Sequence, residues 1–112
     1  MNRYPITIDE NGRTALPAVL RQQLGDTAVI TLGKDRSLQF YSAADWSAGL
    51  DRLSPEALRR MRPMIASAAQ LDLTADAVSL PAALLAYAQL EGSAVLHEEE
   101  GRWYLSAESG TF

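Results

Sequence analysis

The sequence predicts a mainly β fold with short helices (α+β), in which two hairpin–helix–hairpin units interleave into one barrel. Three observations support this prediction: apolar residues alternate in the first strand, an Asn-Gly pair follows it, and the segment that opens the first helix is repeated later. The chain has 112 residues, of which 47% are hydrophobic. This size and composition favour a single domain, residues 1–112.

The first predicted element is a strand that begins at Tyr4. Tyr4, Ile6 and Ile8 occupy alternate positions, which is the pattern of a strand with one buried face. The pair Asn11-Gly12 can adopt positive φ angles without steric cost. A tight reversal into a second short strand is therefore expected at this pair.

A short helix and a second hairpin complete the first unit. Pro17 suits the first helical position, and Gly25 suits the end of the helix. The runs 28–32 and 37–41 are rich in β-forming residues, and the turn-like "GKDR" separates them. The first unit is therefore predicted as hairpin, helix, hairpin over about residues 1–53.

A second unit of the same plan is predicted from an internal repeat. "LPAVLR" at 16–21 corresponds to "LPAALL" at 80–85, and a predicted hairpin follows each. Each half alone would expose an apolar sheet face, so the halves are expected to share one core. The second unit spans about 68–107, and a helical link, interrupted by Pro63, spans about 54–67.

Composition and charge exclude several classes of protein. The absence of cysteine excludes a disulfide framework and a thiolate metal site. No signal peptide or membrane-length apolar run is present, so we expect a soluble, cytoplasmic protein with no membrane role. The net charge of −4 counts against nonspecific affinity for nucleic acid. All but one of the ten basic residues are arginine, the residue suited to bidentate contacts with phosphate or guanine.

An enzyme is the function that the sequence supports least. His97 is the only histidine, and no motif supplies a nucleophile for it. The acidic run Glu98–Glu100 lacks the spacing of a calcium loop and is expected to be a solvated turn. No phosphate loop, paired acid and base, or metal-ligand cluster is found. We therefore expect no catalytic residues, no metal and no cofactor.

The remaining conspicuous side chains have structural interpretations. Arg59, Arg60 and Arg62 form the densest basic cluster, which is expected to be a solvated helix face and, as the alternative, a phosphate contact. Trp46 and Trp103 are expected in the core or at a subunit interface.

Three segments together carry a resemblance to one family. They are "YPITIDENGRTALPAVLRQQLGD", "YSAADW" and "SPEALRRMRPMIASAAQLDL". They resemble the MraZ transcriptional regulators of bacteria, whose halves each carry an AbrB-like swapped-hairpin unit, and the match covers most of the chain. The resemblance implies a swapped-hairpin barrel, a ring-shaped homo-oligomer, and nucleoid-associated binding of double-stranded DNA at short direct repeats in promoters.

The resemblance also assigns site residues. Asp9 and Arg13 occupy the DxxxR positions, and Arg13 is the implied principal DNA contact, with Asp9 expected to orient its guanidinium. Asn11 and Gly12 lie between them at the hairpin tip. Arg21 follows as motif support, able to complement the helix dipole or to pair with a carboxylate. Arg3, near the N-terminus, is a further candidate phosphate contact.

Two departures from the family pattern leave an alternative open. Asn11 stands where the family commonly has lysine, and Ala77 stands where the second unit would have its arginine. The second half therefore holds no DxxxR motif, and its turn is one residue shorter. The main hypothesis is a sequence-specific DNA-binding regulator. The alternatives are a degenerate oligomeric protein-interaction module that no longer binds DNA, and an AbrB-like antitoxin.

Overall fold

The computed structural model describes residues 3–107. In chain order its strands are β1 (Arg3–Thr7), β2 (Arg13–Thr14), β3 (Thr27–Leu32), β4 (Leu38–Ser42), β5 (Ala69–Asp72), β6 (Val78–Ser79), β7 (Ser93–Glu99) and β8 (Arg102–Ala107). The helices are α1 (Ala18–Leu24), α2 (Ala43–Asp51), α3 (Pro55–Arg60), α4 (Arg62–Ala66) and α5 (Ala82–Ala88). The predicted mainly β fold with short helices is confirmed.

The two halves interleave through their strands. The large sheet has the order β1-β7-β8-β4-β3-β5, and all its pairs are antiparallel. β1 of the first half pairs with β7 of the second, and β5 of the second half pairs with β3 of the first. A separate two-stranded ribbon joins β2 to β6. Strands from both halves therefore build both sheets.

The strands interleave as the predicted swapped-hairpin barrel requires, and no pairing that closes the barrel is found among residues 3–107. In residues 3–107 the six-stranded sheet is open, with β1 and β5 at its edges. Each edge strand leads into a turn and then into one strand of the β2–β6 ribbon, so no direct β1–β5 pairing joins the edges.

The core lies between the sheet and the helices of the two halves. Ile6 and Ile8 are buried, as the alternation of the first strand predicts. Leu20 of α1 and Leu84 of α5 hold corresponding places in the repeat, and both are almost fully buried. Burial of a leucine contributes about 1.5–3 kcal/mol. Trp103 is also in the core, as expected.

The helix ends follow from their sequences. The backbone of Pro17 is extended, so this proline precedes α1 instead of occupying its first turn. Ser42 caps α2 by accepting a hydrogen bond from the Asp45 amide, and Trp46 packs against Tyr41. The link breaks at Met61, which separates α3 from α4. Within residues 3–107, no helix has the length and apolar content needed to cross a membrane.

Candidate nucleic-acid interface

The turn that follows β1, residues 9–13, has a defined backbone geometry. The amide of Gly12 donates to the carbonyl of Asp9 at 3.0 Å, and the amide of Asp9 donates to the carbonyl of Arg13 at 3.0 Å. This is the pattern of a type I turn followed by a left-handed residue. Only Gly12, at φ +79°, is left-handed, whereas the sequence indicated positive φ at Asn11 as well.

Asp9 anchors this turn through its side chain. Its Oδ1 accepts hydrogen bonds from the backbone amides of Asn11 at 2.8 Å and Arg13 at 2.9 Å. A short polar side chain that bonds nearby amides in this way stabilises a turn. We expected Asp9 to orient the guanidinium of Arg13. The hydrogen bond is made by the backbone amide of Arg13 instead. Asp9 therefore fixes the backbone position of Arg13, and its carboxylate does not pair with the guanidinium.

Arg13 is exposed and lies on the short ribbon. It pairs across the ribbon with Ser79, which is also exposed, while Thr14 and its partner Val78 face inward. Within residues 3–107 the guanidinium of Arg13 makes no hydrogen bond or ion pair. The exposed face of the ribbon therefore presents a cation that is available to an external anion.

Asn11 and Gly12 have different places in the turn. Asn11 is exposed, as is Arg13 two residues later. Gly12 is buried: a Cβ there would lie 3.0 Å from Cδ1 of Leu85 and 3.2 Å from the carbonyl oxygen of Leu80. Gly12 therefore allows the turn to pack against the second half and does not itself offer a contact surface.

Carboxylates surround the base of this turn. A hollow beside Gly12 is lined by Asp9, Glu10 and Glu91. These negative charges oppose the approach of a polyanion, and the opposition weakens with added salt. A single Arg13 contact is therefore expected to be weak.

The turn in the second half is stabilised by an aspartate at a different position and lacks the cation. Oδ1 of Asp72 accepts hydrogen bonds from the Thr74 amide at 2.9 Å and the Thr74 hydroxyl at 2.5 Å. These bonds hold the pKa of Asp72 below its usual value. Ala77 stands where the arginine would be. The anchoring role of Asp72 was missed from the sequence, although Asp72 and Thr74 have the spacing of such a turn.

Arg21 lies near the second turn. Its Nε is 2.8 Å from Oδ1 of Asp26, so of the two alternatives it takes the carboxylate partner. It also lines a hollow with Thr74 and Asp76 of the second turn. Arg21 is therefore not gathered with Arg13.

Arg3 lies at the far end of β1 from the first turn. It pairs with His97 on β7, whereas the first turn follows the opposite end of the strand. About six residues of extended chain, roughly 20 Å, separate Arg3 from Asp9. Lys34 and Arg36, which sequence reasoning passed over, line the same cleft as Arg3. The only sequence signal for them was the turn-like "GKDR".

His97 and the acidic turn form no metal site. Among residues 3–107 no group of three or more His, Asp or Glu is arranged to hold a metal ion. The turn reverses at Glu100 and Gly101, which both have positive φ. Burial lowers the pKa of His97, and the positive charge of Arg3 lowers it further. The imidazole is therefore neutral near pH 7.

The basic cluster of the link borders an apolar hollow. Arg59 and Arg62 line it together with Leu58 and Ile65. Leu58 is 40% exposed. The predicted solvated face is therefore partly apolar.

Comparison with known proteins finds similarity to one family. The family model of the MraZ protein, described as antitoxin-like, matches residues 1–61. "Transcriptional regulator MraZ" of Limosilactobacillus fermentum is 35% identical over 103 residues, which cover 86% of this chain and 72% of that protein. The proteins of the same name from Desulfitobacterium hafniense (35% identical) and Herpetosiphon aurantiacus (33%) match with the same coverage. A transcriptional regulator is not a class of enzyme. On the length and identity of these matches, the chain belongs to the MraZ family.

Proposed function

We propose that this chain is a DNA-binding transcriptional regulator that contacts DNA through Arg13. Its relatives are named as transcriptional regulators. The observation that carries the proposal is the placement of Arg13, exposed on the β2–β6 ribbon with no side-chain partner in residues 3–107. A guanidinium can form two parallel hydrogen bonds with a phosphate or with the edge of a guanine.

The turn fixes the backbone position of Arg13. Asp9 holds the backbone amide of Arg13, and Gly12 is packed under Leu85 and Leu80. A side chain on an anchored backbone loses less conformational entropy on binding than one on a flexible loop. Asn11 supplies a neutral amide beside it, where a lysine would have supplied a second cation. The proposed contact surface is therefore Arg13 with Asn11, and Arg3 is not part of it.

Assembly compensates for the weakness of one contact. We propose a homo-oligomeric ring that presents one Arg13 per subunit to short direct repeats in a promoter, which implies association with the nucleoid. Linked binding sites raise the affinity of the whole far above that of each contact when their spacing matches the target. Several copies of Arg13 are needed because the carboxylates in the hollow beside each turn repel DNA and so weaken the contact of each arginine.

Fluorescence anisotropy with labelled duplex from the protein's own upstream region tests this function. Arg13→Ala is compared with wild type and with Arg60→Ala, which removes an exposed arginine of α3. A salt series and a scrambled-repeat duplex complete the design. We expect Arg13→Ala to weaken binding by about 1–3 kcal/mol per contact, and Arg60→Ala to change it little.

The salt dependence gives an independent readout. The slope of log K against log salt is about −0.9 for each phosphate neutralised, so Arg13→Ala should make the slope shallower. Equal losses for Arg13→Ala and Arg60→Ala would contradict a dedicated contact, because they would indicate general attraction between charges.

A second candidate, an oligomeric protein-interaction module that no longer binds DNA, has one observation in its favour. The hollow between α3 and α4 is lined by exposed Leu58 and half-buried Ile65, and an exposed apolar patch is typical of an interaction surface. The absent second arginine fits this candidate as well. This candidate predicts that the wild-type protein forms oligomers, as measured by light scattering, and binds none of the DNA duplexes even at low salt.

A further inference from the structure

One cleft of the molecule gathers cationic side chains from distant parts of the chain. It has a volume of about 390 Å³, within the range of small-molecule sites. Arg3, Lys34 and Arg36 line it, against the carboxylates of Asp35 and Glu99. The chain as a whole has a net charge of −4, so this concentration of cations runs against the average charge.

Polar and charged side chains form the floor of the cleft, and their contacts with one another can be exchanged for contacts with a ligand. Nζ of Lys34 is 3.3 Å from Oε1 of Glu99 and 5.1 Å from the centre of the Tyr104 ring. His97 stacks on Tyr104, and its Nε2 is 3.7 Å from Oε2 of Glu99. Nδ1 of His97 is buried without a well-formed hydrogen bond and has only a weak interaction with the backbone of Val95. Lys34 is exposed, so it can leave Glu99 for another anion at little cost.

The turn at the mouth of the cleft holds its arginine in an unfavourable conformation. Asp35 and Arg36 both have left-handed backbones, at φ 53° and φ 63°. This conformation costs a residue other than glycine about 1–2 kcal/mol. The guanidinium of Arg36 lies 5.5 Å from the centre of the Tyr87 ring. Glycine would fit this backbone better, yet an arginine stands there, and it both contacts the Tyr87 ring and lines the cleft.

We propose that this cleft binds a small molecule that bears a phosphate or pyrophosphate group. Arg36 and Arg3 supply guanidinium groups for the anionic oxygens, and Lys34 turns from Glu99 towards the same group. Ser37 and Ser106, which also line the cleft, supply hydroxyl donors. The site combines β1 and the Lys34–Arg36 turn of the first half with β7 and β8 of the second. Occupation of the cleft therefore stabilises the interleaved state and gives the protein an effector site separate from Arg13.

Isothermal titration calorimetry with sodium pyrophosphate, at constant ionic strength, tests this site. The double variant Lys34→Gln/Arg36→Gly removes two cations and leaves the fold intact, because glycine accepts the left-handed backbone. Arg60→Gln is the matched control on α3. Wild type and Arg60→Gln should bind, and the double variant should bind at least about tenfold more weakly.

Further arms identify the ligand. Inorganic phosphate and a nucleoside diphosphate are titrated in parallel. Weaker binding of phosphate supports two anionic groups, and tighter binding of the nucleotide supports an organic moiety in the cleft. Circular dichroism of the double variant verifies that it is folded.

Three results would overturn the proposal. They are no heat from wild type with any of the three probes, equal affinity in the double variant, and an equal loss in Arg60→Gln. The proposal also fails if duplex DNA displaces pyrophosphate and the double variant gives DNA binding a shallower salt slope, since the cleft would then be a contact for the DNA backbone. Arg13→Ala should leave pyrophosphate binding unchanged, so this site is tested independently of the proposed DNA contact.

Discussion

The turns after β1 and β5 lead into the same ribbon and are stabilised in different ways. In the first, Oδ1 of Asp9 accepts two backbone amides, and the turn ends in exposed Arg13. In the second, Oδ1 of Asp72 accepts the amide and hydroxyl of Thr74, and Ala77 occupies the place of the arginine. An aspartate stabilises each turn from a different position, two residues after β1 in the first half and at the last residue of β5 in the second, and the arginine is present only in the first.

The comparison of the two turns shows which residue of the motif the fold does not require. Both turns lead into the same ribbon, in which Thr14 faces Val78 and Arg13 faces Ser79. The ribbon forms without a second arginine, so the arginine is not needed for the fold. In each turn an aspartate side chain accepts a hydrogen bond from a backbone amide, which stabilises the turn.

Replacement of Gly12 should have the largest effect on the first turn. Gly12→Ala adds left-handed strain of about 1–2 kcal/mol and a close contact with the Leu80 carbonyl, which adds about 1 kcal/mol. Gly92→Ala is the control, since Gly92 has a similar φ of +77° and no atom within 4 Å of the added Cβ. Urea denaturation should show Gly12→Ala to be the less stable variant. Equal losses would mean that the contact with the second half contributes nothing.

Loss of the two anchoring aspartates should cost similar amounts of stability and have unequal effects on DNA binding. Asp9→Ala and Asp72→Ala each remove an acceptor for two donors, and we expect each to lower the free energy of unfolding slightly, because the bonds are exposed to water. Only Asp9→Ala should also weaken DNA binding, because it frees the backbone of Arg13. Urea denaturation of both variants measures stability, and fluorescence anisotropy measures DNA binding. Weaker DNA binding in folded Asp72→Ala would place the second turn in the interface.

Ser79→Arg restores a cation beside Arg13 and should strengthen DNA binding. Ser79 is the cross-strand partner of Arg13 on the exposed face of the ribbon. One additional phosphate contact should steepen the salt slope by about 0.9. Ser79→Gln, which adds length without charge, is the control. An unchanged slope in Ser79→Arg would show that this side of the ribbon does not face DNA.

Local patterns predicted most of the fold. The alternation of Tyr4, Ile6 and Ile8 and the flexibility of Gly12 are visible in adjacent residues, as is the repeat that positions Leu20 and Leu84. The open edges of the large sheet could not be predicted, because pairing depends on which distant strands meet.

The candidate site was only partly predictable for the same reason. Arg13 was identified from a short motif. The bond from Asp9 to the backbone depends on the turn type, which one residue at positive φ decides. Arg3, Lys34 and Arg36 come together only in the folded chain, so no local pattern connects them.

The smallest expected effect concerns the pKa of Asp72. The Thr74 hydroxyl is the main cause that holds this pKa below its ordinary value of 3.8, and the Thr74 amide adds to it. Thr74→Val removes only the hydroxyl, so the pKa of Asp72 should rise towards 3.8 without reaching it. A carboxyl whose pKa is lowered by folding stabilises the protein above pH 3.8, and this stabilisation is lost as the pH falls through the lowered value. Thr74→Val should therefore be slightly less stable than wild type at neutral pH, with the difference vanishing in acid. Carbon-detected NMR titration of Asp72 measures the shift, with the exposed-threonine variant Thr7→Val as control. An unchanged Asp72 pKa in Thr74→Val would assign the anchoring of the second turn to the backbone amide alone, which would make it more like the amide-anchored first turn.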